Sequence, residues 1–97
     1  MRDFLLLMHN DVTARPTPEM WSSYFLFLRG RGVFEGGSSI GTGESFRKQG
    51  KPGNVSDQLS GYIRIRAKSL AEAKELLEGN PVFECGGTVE IRGLPLD

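Results

Sequence analysis

From Ser60 to Arg66 the chain reads Ser-Gly-Tyr-Ile-Arg-Ile-Arg, with apolar and polar positions in strict alternation. Side chains alternate faces along a strand, so Ile63 and Ile65 point one way while Tyr62, Arg64 and Arg66 point the other. Residues 88–92 repeat the pattern, with Val89 and Ile91 against Thr88, Glu90 and Arg92. Such a sheet has an apolar face that calls for helices and a polar face that calls for water, a ligand or a second subunit. Residues 3–9 form a short unbroken apolar run, Phe4 to Met8, before His9. It fits a central strand covered on both faces, although periodicity alone also admits a helix. A further strand is expected within Val33–Thr42, where Gly36 and Gly37 signal a bulge or a close approach of ligand or backbone.

Two segments read as helices. Thr17-Pro18-Glu19 supplies an N-cap, a proline at the first helical position and an acid in the first turn. The helix runs through Met20, Trp21, Tyr24, Phe25, Phe27 and Leu28, apolar over more than one stripe, to a stop at Gly30 or Gly32. Trp21, Phe25 and Phe27 are accordingly read as core or interface. Ser69-Leu70-Ala71-Glu72 is a capping box, followed by a stripe of Leu70, Ala73, Leu76 and Leu77, with Gly79 as C-cap and Pro81 preventing continuation. Val82–Gly87 is expected to be a plain connection, and 43–57 a long hairpin loop or an extension of the hairpin. The order is β-α-β-β-α-β over 1–97, read as one domain. That order predicts an α+β, ferredoxin-like four-stranded antiparallel sheet with both helices on one face.

Twelve basic and twelve acidic residues cancel, which argues against a nucleic-acid partner and lowers the repulsion opposing self-association. A chain of this length buries only roughly 60–65 % of its unfolded surface, so oligomerisation would add stability. A single cysteine, Cys85, excludes an intramolecular disulfide and fits a reducing cytoplasm. With one His and one Cys, a zinc site built from those ligands in one chain is not expected. The run Phe4–Met8 is too short for a membrane span or the core of a signal peptide.

The chain resembles the YCII-related domain family, the group with an Asp-Gly-Pro-Phe motif. The likeness rests on Phe4-Leu5-Leu6-Leu7-Met8-His9-Asn10-Asp11, on Leu59-Ser60-Gly61-Tyr62, on the Ser69–Leu77 helix and on Gly87-Thr88-Val89-Glu90-Ile91-Arg92. It implies a homodimer in which the free sheet faces pair to make a dimeric α/β barrel, with polar side chains lining its interior or mouth. The family's motif Asp, proposed there to act with a His, has no counterpart. The equivalent stretch reads Gln49-Gly50-Lys51-Pro52, so the proposed catalytic pair does not carry over intact.

Candidate chemistry centres on five residues. His9 is the sole imidazole and stands at the end of the first strand; as a general base it would have its tautomer fixed by Asp11. The plainer alternative is a surface His beside an ordinary turn residue. Arg64, beside Tyr62, either clamps an anion with its planar fork or pairs with Glu90 across a subunit interface. Ser38 is a candidate donor to a ligand from a cavity-lining strand. The surrounding Gly-rich segment matches no phosphate-binding pattern and leads into no helix. Together these suggest a small polar or aromatic metabolite bound between the sheet and the first helix. Two functions follow: cofactor-free proton transfer of lyase or isomerase type, or a non-catalytic binding or dimerisation module.

Overall fold

The central strand is β1 (Arg2–His9), flanked by β3 (Leu59–Ala67) and β4 (Val89–Leu94). A fourth strand, β2 (Phe34–Ser39), lies outside β3, giving the order β2-β3-β1-β4 with every neighbour antiparallel. This computed structural model describes residues 1–96. The period-two pattern places Phe4, Leu6 and Met8 of β1 beside Ile63, Ile65 and Ala67 of β3 on one face, all buried. Val89 and Ile91 of β4 join them. Against this face pack α1 (Pro18–Gly30), α2 (Leu70–Glu75) and α3 (Pro81–Glu84), through Tyr24, Leu28, Ala73, Leu76, Leu77 and Val82. The fold is α+β and ferredoxin-like, with the helices on one side of the sheet.

Local chemistry sets the helix ends. Thr17 Oγ1 accepts from the Met20 N–H at 3.2 Å, with Pro18 at the first helical position as anticipated. Ser69 Oγ accepts from the Glu72 N–H, while the Glu72 carboxylate reaches back to the Lys68 N–H, one residue before the cap. The expected stripe is only partly realised: Leu70 is exposed at 56 % and Phe27 at 38 %. Both face outward because Tyr24 with Leu28, and Ala73 with Leu76 and Leu77, already fill the space over the sheet.

The segment after Gly79 differs from expectation. Pro81 does not merely end a helix; it begins α3. The buried Asn80 is its N-cap, accepting from the Phe83 N–H at 3.0 Å. Asn-Pro here repeats the logic of Thr17-Pro18. Strand β2 falls within the Val33–Thr42 span expected. It ends at Ser39, and the following residues through Gln58 run without strand or helix, exposed almost throughout.

Candidate functional site

Two register shifts shape one corner of the sheet. On β2, Phe34 pairs with Ile65 and Gly37 with Ile63, so an extra residue bulges between them at Glu35–Gly36, where Gly36 has φ +112°. On β3, Met8 faces Gly61 and His9 faces Leu59, so Ser60 is the extra residue. Its hydroxyl donates to the Met8 and His9 carbonyls at 3.3 and 3.2 Å. The backbones come close here. A Cβ on Gly37 would stand 2.6 Å from the Tyr62 carbonyl oxygen, and one on Gly61 would stand 3.1 Å from that of Ser38.

Small residues on this corner leave space beneath α1. The resulting cleft, of about 380 Å³, runs between α1 and the β2–β3 edge. Trp21, Phe25 and Phe34 form its aromatic wall, and Ser39 and Ser60 are the serines that bring hydroxyls to it. Trp21 stacks on Phe25 at 5.7 Å, and Phe25 meets Phe34 edge-on at 5.4 Å. The Ser38 hydroxyl, in register with Tyr62 on the helix-free face, donates to the Ser39 carbonyl at 3.0 Å.

The helix-free sheet face carries the charged residues in two groups. At one end Asp3 receives Arg64 at 2.7 Å and approaches Arg66 at 3.8 Å, and Arg66 also approaches Glu35. At the other end His9 Nε2 lies 2.8 Å from Glu90 Oε1, and Arg92 lies 3.6 Å from the second Glu90 oxygen. The bond to His9, above all, holds the Glu90 carboxyl below its ordinary value. Between the groups lie the half-buried Leu5 and Leu7.

The five residues singled out in the sequence fall in three places. Ser38 and Tyr62 border the cleft, but their register sets both side chains on the helix-free face. His9 lies on the open face with Glu90 as its carboxylate partner. Asp11 does not bond to the imidazole; it accepts from the Thr88 N–H at 2.8 Å and the Thr88 hydroxyl at 2.7 Å, which lower its pKa. Arg64 opposes Leu5 on β1 and is engaged by Asp3, roughly 13 Å along the strand from His9. Arg64 and Glu90 do not meet within the chain, where each has another partner. Of the cleft's aromatic wall, Trp21 and Phe25 read in sequence as core or interface; the run of small residues from Gly36 to Ser39, opposite Gly61, is the signal that they keep a free surface. Among the described residues, no group of three or more His, Cys, Asp or Glu is placed to hold a metal ion, and no helix is long and apolar enough to cross a membrane. No protein-family model matches the chain, and no curated protein matches it.

Proposed function

We propose that the protein is a YCII-related cytoplasmic binding module that acts as a homodimer and takes a small planar metabolite in the cleft beneath α1. The observation that carries this reading is the cleft itself: three aromatic rings facing a wall of serines and backbone, with a bulge on each of the two strands beside it. Small-molecule sites are mostly apolar concavities with a few placed polar groups, and bulges concentrate beside such sites. Self-association is supported by the open face, where Leu5 and Leu7 lie uncovered by helices between charges already paired within the chain. Pairing of two such faces would bury apolar surface without stranding an unmatched charge.

Trp21 is the only tryptophan and stands in the cleft wall, so its fluorescence reports occupancy directly. A thermal-shift screen of small aromatic metabolites, followed by Trp21 fluorescence titration, should yield saturable binders. The variant Ser39→Leu, which fills the cleft, should lose them. Binders unaffected by Ser39→Leu would place the ligand elsewhere and remove the proposal.

The His9–Glu90 contact favours a second reading, proton transfer without a cofactor. With Nε2–H donating to Glu90, Nδ1 is the basic nitrogen, and Glu90 takes the orienting role that the sequence suggested for Asp11. Turnover of an identified substrate that survives His9→Ala would rule this out.

A further inference from the structure

Resting on the cleft reading above, we infer that the ligand is an aromatic carboxylic acid, held by its ring against Trp21 and Phe25 and by its carboxylate at Arg29. Trp21, Phe25 and Arg29 recur every four residues along α1, which sets them in one row on the helix surface. The Arg29 guanidinium lies 5.8 Å from the Phe25 ring centroid and 5.1 Å from that of Phe34. Both rings are cleft walls, so this cation, although not itself part of the lining, stands beside them at the end where β2 begins.

Arg29 is exposed and makes no ion pair with a carboxylate among the described residues. Its two aromatic neighbours fix the guanidinium plane without using its hydrogen-bonding fork. The remaining charged neighbours do not cancel it. Arg31, over Phe27, has the same sign, and the Glu35 carboxylate approaches Arg66. No acidic side chain lines the cleft, so nothing there repels an anion.

The far end is chemically different. Ser39 and Ser60 offer neutral hydroxyls there, and that of Ser60 already donates to backbone carbonyls. The Ser60 oxygen therefore favours a ligand that brings its own donor, such as a phenolic hydroxyl. A cation at one end, rings in the middle and acceptors at the other describe a hydroxyaryl carboxylate. The row from Trp21 to Arg29 spans roughly 12 Å of helix, a length that suits one aromatic ring with a short acid side chain.

The test uses isothermal titration calorimetry of the intact protein with 4-hydroxybenzoate, 3-(4-hydroxyphenyl)propanoate and 4-hydroxycinnamate, each beside its neutral primary amide. The inference expects at least one acid to bind about tenfold or more tighter than its amide, the size of effect a charge-assisted pair supplies. Arg29→Gln should erase that preference while leaving amide affinity in place, and Arg31→Gln should leave the preference intact. Retained amide binding shows that Arg29→Gln still folds and still has its cleft. Acids and amides bound equally would overturn the acid assignment and leave the cleft reading standing. Failure of all six probes to bind would overturn both.

Discussion

Asp11 and Glu90 are two carboxyls held below their ordinary values, the first by Thr88 and the second by His9. A carboxyl whose folded pKa is depressed contributes stability above its unfolded value and loses it as pH falls through the folded one. The acid limb should therefore begin near the ordinary values of 3.8 for Asp11 and 4.5 for Glu90 and continue below them. Asp11→Asn should flatten part of that limb, seen as a smaller fall in Tm between about pH 5 and pH 3; an unchanged fall would mean that Asp11 has no such linkage. Tyr24 makes a different kind of contact. Its hydroxyl, buried and pushed up to about 12, donates to the Leu76 carbonyl at 2.7 Å. Tyr24→Phe leaves that carbonyl without this donor and should cost about 1–3 kcal/mol in urea unfolding. At this scale the sequence disclosed which residues are reactive but not their partners. His9 stood out as the lone imidazole, whereas Glu90 lies 81 residues away and meets it only through the register of β1 on β4. Alternation assigns a face; it does not set which residues on neighbouring strands meet.

Elements with their own start and stop signals were legible: α1 from Thr17-Pro18, α2 from Ser69 to Glu72, and β3 from its alternation. The short α3 carried an equal signal in Asn80-Pro81, hidden because Pro81 also serves as a stop after Gly79. Asn80→Ala removes that cap from a fully buried position and should destabilise by about 1–2 kcal/mol. Equilibrium unfolding checks this, and a change below about 0.5 kcal/mol would show that α3 does not depend on its cap. The glycines of β2 announced a bulge or close approach, and both occur. Gly37→Ala would force β2 away from the Tyr62 carbonyl, costing about 1–3 kcal/mol and disturbing the cleft together with the strand. Wild-type stability with an unaltered Trp21 emission maximum in that variant would contradict the close packing described.

Across the whole molecule, the fold followed from element order, since β-α-β-β-α-β with right-handed crossovers leaves few other arrangements. The cleft lies where the sequence reading set a binding cavity, between the sheet and α1, but its aromatic wall did not follow, because it depends on α1 standing over side-chain-poor strand positions, a tertiary relation. The second sheet face links the fold to assembly. With Leu5 and Leu7 uncovered by helices and the surrounding charges internally paired, it is the surface that the proposed dimer would use. Native mass spectrometry of the gently purified protein tests binding and assembly together. The account predicts a dimer that carries a small aromatic acid, retained in the wild type and lost in Ser39→Leu. A monomer without bound ligand, under conditions that preserve weak complexes, would contradict it.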